Sequence, residues 1–262
     1  MLLSVDVGNT NLHFGLFQGE NLAGSFRLTS KAERTVDELC VLILDMLDLY
    51  NTAAEDITGV IISSVVPHMT NLLEETFEKY FDVDMVKVGP GSKTGISVLT
   101  DNPSEVGADR IVNVAAAHAI YGRSAVIIDF GTATTFDYVD ENGVFKYTVI
   151  MPGLNLSAEA LFKGTAKLPD VEIRMPDSIL ASNTISGMQA GIVYGYIGAV
   201  KYTLEKQTEA LNDNPLIIAT GGIGREIVKY IDEVDVYDPD IALKGMKIIY
   251  KKTRGIKGDL PE

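Results

Sequence analysis

The sequence predicts an α/β protein made of two similar halves with a cleft between them. Three observations carry this. Short apolar runs alternate with helix-period segments along the chain, the pattern of strands connected by helices. Two strand-to-turn junctions, "LLSVDVGNTN" and "AVIIDFGTAT", share one design: an apolar strand, an Asp, an apolar residue, a Gly, then hydroxyl or amide residues. Their aspartates, Asp6 and Asp129, stand 123 residues apart in a chain of 262, a spacing that fits a duplicated domain. No Pro- or Ser-rich linker separates the halves, so two closely packed lobes, 1–120 and 121–262, are expected.

Each element follows from local pattern. Leu2 to Val7 reads as a strand ended by Gly8-Asn9. "NLHFGLFQGENLAGSFRLT" alternates apolar and polar residues around Gly turns, which predicts an antiparallel hairpin. In "TVDELCVLILDMLDLY" the residues Val36, Leu39, Cys40, Ile43, Leu44 and Leu47 recur at helical spacing. "GVIISSVV" is a short strand with an apolar core of the kind buried on both faces of a parallel sheet. A helix in "NLLEETFEKYF", a strand in "MVKVG" and a loop in "PGSKTGI" follow. Asn102, Pro103 and Glu105 read as a capped helix start. The second half opens with two strands in "SAVIIDFGTATTFDYVD" and a third in "VFKYTVIMPG". Next come a helix from Leu154 to about Phe162 and a long helix in "SGMQAGIVYGYIGAVKYTLEKQTEAL". "PLIIATGGIG" is a strand entering a glycine turn, and "REIVKYI" is helical.

Composition narrows the function. The apolar fraction is 46% and the charged fraction 22%, ordinary for a globular protein. A formal net charge of −14 leaves no cation excess to displace counterions, which argues against nucleic-acid binding. Cys40 is the only cysteine, so no internal disulfide and no thiolate metal cluster can form; its apolar neighbours predict a buried core thiol. The N-terminus lacks the pattern of a signal peptide. No stretch approaches the ~18 apolar residues of a membrane span. A cytoplasmic protein is expected.

The chemistry gathers at the turns. A carboxylate inside an apolar strand is costly unless something pairs with it. "SVDVGNTN" is therefore either a turn with a satisfied acid or a site for a cation and phosphate. Phosphates favour backbone N–H groups that can approach closely, which Gly permits, and Mg²⁺ favours carboxylate oxygen and water. "DVGNTN" offers Asp6, Gly8, Asn9 and Thr10; "DFGTAT" offers Asp129, Gly131, Thr132 and Thr134. "ATGG", Ala219 to Gly222, lies at a third strand end. No GxxxxGK[ST] loop occurs. His13, His68 and His118 have no metal-ligand spacing. The His13 ring serves either the phosphate turn or the hairpin, His118 reads as a packed helix residue, and Lys93 as an anion contact or a solvated lysine.

Together, DxGNT, DxGT and TGG in this order resemble the two-lobed ATPase superfamily of sugar kinases, heat-shock chaperones and actin. That implies ribonuclease H-like, actin-like halves. "NPSEVGADRIVN" at 102–113 narrows the resemblance to the type III pantothenate kinases. "VGPGSKTGI" at 88–96, "IIDFGTATTFD" at 127–137, "PGL" at 152–154, "LFKGTAKLP" at 161–169 and "NTISGMQAGIVYG" at 183–195 agree with it in content and order. Two departures are visible: Tyr147-Thr148 replace a usual Gly pair, and Ser186 stands where many members carry an acid.

The resemblance implies transfer of the ATP γ-phosphoryl group to pantothenate, the first step of coenzyme A synthesis. It makes Asp109 the general base and Arg110 the partner of the substrate carboxylate. Gly107, Ala108 and Thr184 are implied as further substrate contacts. Asp6, Val7, Gly8, Asn9, Thr10, Asn11, Leu12 and His13 would line the ATP phosphates, with Thr132 from the second half. Asp6 would organise Mg²⁺ through water, and Asp129 would hold K⁺ or NH₄⁺. A homodimer is implied, with the helix around Gly191 to Gly198 near the partner. Two rival expectations stand beside this one: another small-molecule kinase of the superfamily, or an ATP-binding regulatory accessory factor.

Overall fold

The computed structural model describes residues 1–258 and Leu260, and the chain divides into two compact units. The first opens with β1 (Leu2–Val7) and the hairpin β2 (Asn11–Gln18) and β3 (Asn21–Thr29). Then come α1 (Val36–Asp48), β4 (Gly59–Ser64), α2 (Pro67–Tyr80), β5 (Asp84–Lys87), the short β6 (Ser97–Val98) and α3 (Ala108–Tyr121). The sheet runs β3-β2-β1-β4-β5. β1, β4 and β5 are parallel, while β2 is antiparallel to both its neighbours.

The second unit has β7 (Ala125–Phe130), β8 (Ala133–Val139), β9 (Val144–Pro152), α4 (Leu154–Lys163) and α5 (Thr184–Leu211). It continues through β10 (Leu216–Thr220), α6 (Gly224–Ile227) and β11 (Val236–Tyr237). Its strands run β9-β8-β7-β10-β11. β7, β10 and β11 are parallel and β8 is antiparallel to β7. Strand for strand this repeats the first order, so the duplication read from the two Asp-Gly junctions is present in the topology. Residues 143–145 group with the first unit, where Val144 and Phe145 pair with β6.

Alternation along β1 sorts its side chains between two layers. Leu3, Val5 and Val7 pack with Leu39, Cys40, Ile43 and Leu73 of α1 and α2. Cys40 is thus the buried thiol expected. Leu2, and with it Ser4 and Asp6, face the other layer, where Ile61 meets Val112 of α3.

That second layer is completed by α7 (Ile241–Arg254), which returns to the first unit with Leu243, Met246, Ile249 and Tyr250 buried. The expected boundary of 1–120 and 121–262 differs from the structure here. The apolar stripe of α7 covers the open face of the first sheet, so the described residues from Asp240 on belong with the first unit. The approach is close: a Cβ on Gly245 would collide with Val112 O, and one on Gly59 with the Tyr250 hydroxyl. No helix among the described residues is long and apolar enough to cross a membrane.

Candidate active site

The turn after β1 is closed by Gly8 N–H donating to Asn11 O at 3.0 Å. Val7 and Leu12 are buried at its base while Asn9, Thr10 and Asn11 are exposed. Thr10 O accepts from Ser30 N–H (3.0 Å) and the Thr29 hydroxyl (3.4 Å), which fixes the turn to the end of β3. Asp6 is half-buried and stands in a polar row. The registers set Arg27, His13, Asp6 and Ser63 side by side across β3, β2, β1 and β4. Arg27 Nη2 lies 3.3 Å from His13 Nδ1. Burial pushes the His13 pKa down to about 4, and the Arg27 charge acts in the same direction. The imidazole is therefore neutral at neutral pH. With a guanidinium donor facing Nδ1, its proton belongs on Nε2. The acid within the apolar strand is one member of this row rather than an isolated charge.

The second cluster of the first unit lies at the start of α3. Residues 103–105 form only a single 3₁₀ turn, and Asn102 makes no side-chain cap bond to it. The helix start expected at Asn102 is corrected to Ala108, with Gly107 as the N-cap residue. The reason is local. Asn102 Nδ2 donates to Glu105 Oε1 (2.6 Å) and the Ser104 hydroxyl to Asn102 Oδ1 (2.6 Å), so the side chains close their own turn. Gly107 matters for what lies over it. A Cβ there would collide with Asp109 Oδ1 and stand 3.3 Å from Val65 Cγ1. The Asp109 carboxylate thus folds back over a bare Cα, where Oδ1 also accepts from Arg110 N–H at 2.8 Å. Val65 N–H donates in turn to Val7 O at 3.2 Å. Val65 thus stands beside the helix start that holds Asp109 and bonds the strand end that follows Asp6. Arg110 places its guanidinium carbon 5.3 Å from the ring centroid of Phe145, which is completely buried.

In the second unit, Asp129 is half-buried at the end of β7, in register with Thr135 of β8 and Thr220 of β10. The following turn is held from two sides by glycines. A Cβ on Gly153 would collide with Gly131 O and lie 2.5 Å from Thr132 O, the oxygen that accepts from Gly153 N–H at 3.1 Å. Gly221, at φ +92°, puts its Cα against the Phe130 backbone, where a Cβ would lie 2.6 Å from Phe130 O. The "PGL" and "TGG" strings therefore clamp the Asp-Gly turn. Below it, the Thr134 and Tyr196 hydroxyls share a hydrogen bond of 2.6 Å. Burial raises the Tyr196 pKa to about 12, and the Asp129 charge adds to the rise.

Gly153 also caps α4, so the clamp leads into a cavity of about 530 Å³ between α4 and α5. It is lined by Ser157, Leu161, Thr184, Gly187, Met188 and Ile192, among others. Thr184 opens α5 behind Asn183, which caps the helix by accepting from Ser186 N–H at 3.0 Å. Ser186 Oγ accepts from Asn183 Nδ2 at 3.0 Å. The other sequence departure is also absorbed. Thr148 donates to the buried Asp137 at 2.9 Å, Tyr147 stacks on Tyr138 at 6.0 Å, and β9 stays one strand.

The structure thus brings Asp6 to His13 together with Gly107 to Arg110 in one unit. It brings Asp129 and Thr132 together with the glycine clamps in the other, where Gly153 links them along the chain to the helix that lines the Thr184 cavity. Sequence reasoning missed Gly153 as a clamp, Val65 as the bridge and Phe145 as the arginine's platform. The first was visible as "PGL"; a lone Val and a lone Phe at strand ends carry no signal. Of the two readings of Lys93, the structure has the solvated one: its side chain is exposed and its N–H donates to the Thr253 hydroxyl at 3.1 Å. The His118 ring packs on Gly143, where a Cβ would stand 2.8 Å from its Nε2. No group of three or more His, Cys, Asp or Glu among the described residues is placed to hold a metal ion.

Comparison with known proteins identifies the family. The family model described as "Type III pantothenate kinase" matches residues 2–206. A type III pantothenate kinase of Agathobacter rectalis is 45% identical over 260 residues, spanning 98% of this chain and 100% of that one. One from Syntrophus aciditrophicus is 46% identical over 252 residues, 96% and 99% of the two chains. Among solved structures, a protein described as a Baf family transcriptional activator from Campylobacter jejuni has a TM-score of 0.60 at 20% identity, covering 97% of this chain and 100% of its own. One described as a 2-dehydro-3-deoxygalactonokinase from Sinorhizobium meliloti has a TM-score of 0.61 at 10% identity, covering 99% of both. Those two likenesses speak to the fold alone.

Proposed function

The chain belongs to the type III pantothenate kinase family, and from that premise we propose a mechanism for its own residues. The enzyme transfers the γ-phosphoryl group of ATP to the primary hydroxyl of pantothenate, giving 4′-phosphopantothenate. Such a transfer depends mostly on positioning and charge neutralisation.

Asp109 is the general base that accepts the hydroxyl proton. The observation that carries this is the carboxylate folded over Gly107 at a helix start, with Val65, which bonds the strand that bears Asp6, beside that glycine. Arg110 holds the pantothenate carboxylate by forked hydrogen bonds. Gly107 and Ala108 offer small surfaces and N–H groups to the substrate, and Thr184 adds a hydroxyl contact. The turn from Asp6 to His13, with Thr132, receives the phosphates.

The donor set fits the cations in a specific way. The single carboxylate that Asp6 contributes, in register with the neutral His13 and with Ser63, suits Mg²⁺ held mainly by phosphate and water. When bound, the metal offsets phosphate charge. Asp129, set in a turn rich in backbone carbonyls, suits a monovalent cation such as K⁺ or NH₄⁺.

The experiment is a coupled assay with ATP and pantothenate. Asp109→Asn is expected to lower kcat by roughly 10²-fold or more while the KM for ATP holds. A near-normal kcat would remove Asp109 from the mechanism. In the same assay the native enzyme is expected to need K⁺ or NH₄⁺; equal rates in sodium buffer would remove Asp129 as a cation ligand. The proposal extends to a cytoplasmic homodimer. The supporting feature is α5, where a Cβ on Gly191, Gly195 or Gly198 would meet nothing within 4 Å. A monomeric mass by light scattering would refute the dimer.

A further inference from the structure

We propose that Phe145 is a positioning residue that presents the Arg110 guanidinium to the carboxylate of the acceptor. This rests on the reading of Arg110 given above.

Arginine at a helix start has several rotatable bonds, and a forked contact with a carboxylate uses only a narrow set of their orientations. Fixing the guanidinium plane beforehand lowers the ordering cost of binding. Phe145 offers the means. Its ring is completely buried, and the Arg110 Cζ stands 5.3 Å from its centroid, within the range of a cation–π contact. The contact sets the charged end of Arg110 over the ring, and the five N–H donors that a carboxylate would meet are carried at that end.

A platform works only if it cannot drift, and Phe145 is fixed along its backbone. Val98 is its register partner in the β6–β9 pair, and Phe145 O accepts from Leu99 N–H at 2.8 Å. Two residues earlier, Gly143 O accepts from Ser97 N–H at 2.9 Å. Gly143 has φ +77° and sets its bare Cα against the His118 ring. The three residues 143–145 are thus seated on α3 at two heights, under His118 near its end and under Arg110 in its first turn. Together the two contacts set the height of Phe145 along α3.

The test compares pantothenate with its uncharged primary amide as acceptors. Phe145→Met keeps most of the side-chain volume but removes the π face, and Phe145→Leu is the second variant should Met fold poorly. The KM for pantothenate is expected to rise about tenfold, with kcat within about twofold of native, while the KM for the amide stays put. In the double variant with Arg110→Ala, the pantothenate KM should match that of Arg110→Ala alone, because both changes remove one interaction. An unchanged pantothenate KM in Phe145→Met would overturn the inference. So would equal KM increases for both acceptors, since that marks a purely structural effect. The Arg110→Ala variant separates the two levels of the argument. If it raises the KM for the acid and the amide alike, or for neither, the carboxylate reading itself falls. If it raises the KM for the acid alone and the Phe145 variants do not, only the platform falls.

Discussion

At the scale of single residues, the site is set by what is missing as much as by what is present. Gly107 lacks the Cβ that would collide with Asp109 Oδ1. Its φ −61° and ψ 149° suit any residue, so Gly107→Ala carries no backbone strain. The carboxylate, the end of a flexible side chain, simply moves aside. We expect a change in stability below about 1 kcal/mol but a fall in kcat of at least about tenfold, because a displaced base loses its alignment. Thermal melting beside steady-state kinetics checks both halves; a normal kcat would show that the seat of Asp109 is unimportant. His13 makes a prediction about pH. Its folded pKa, about 4, lies below the ordinary 6.5, so the native state refuses a proton that the unfolded chain accepts. The resulting stability is complete above about pH 6.5 and is lost as pH falls toward 4. Between pH 7 and pH 5 the native protein should lose on the order of 2 kcal/mol more than His13→Gln in urea unfolding. Parallel pH profiles for the two proteins would contradict it.

At the scale of elements, Gly153 joins β9, the Asp129 turn and α4. A side chain there would meet two backbone carbonyls, Gly131 O and Thr132 O, and neither can swing away. Gly153→Ala should therefore raise the KM for ATP by about tenfold or more and lower stability by roughly 1–3 kcal/mol. A native KM would mean that the turn tolerates displacement. This scale also shows how far the sequence is legible. Strands were readable because β4 and β7 each carry a run of apolar residues, Val60 to Ile62 and Ala125 to Ile128, and the repeat because Asp6 and Asp129 sit in matching strings. The 3₁₀ turn at Pro103 was not, since Asn, Pro and Glu are the residues that also start an α-helix; the competing bonds among Asn102, Ser104 and Glu105 decide the matter in space. Of the site, the charged residues were legible from their motifs. Their supports were not. Val65 and Phe145 contribute a packed surface and a ring face, and nothing about a lone apolar residue in sequence reveals which neighbour it will carry.

At the scale of the whole molecule, the return of α7 to the first unit is the feature that sequence alternation concealed. Its apolar stripe reads like any amphipathic helix, and only the fit of Gly245 against Val112 O and of Tyr250 over Gly59 assigns it to β1 and β4 rather than to the strands it follows. Gly245→Val should wedge α7 away from α3 and cost roughly 3 kcal/mol, read as a lower urea midpoint together with lost activity; an unshifted midpoint would show that the close approach is dispensable. The arrangement has a temporal consequence. On the ribosome the strands of the first unit emerge early, but the helix that covers one face of their sheet is translated after the entire second unit. At roughly 5–20 residues per second, that face, with Leu2, Ile61 and Val112 on it, waits on the order of ten seconds for its cover. The second unit, by contrast, has all its strands by Tyr237. In the nascent chain the later half can finish folding before the earlier one, and the cell must shelter the older half in the meantime.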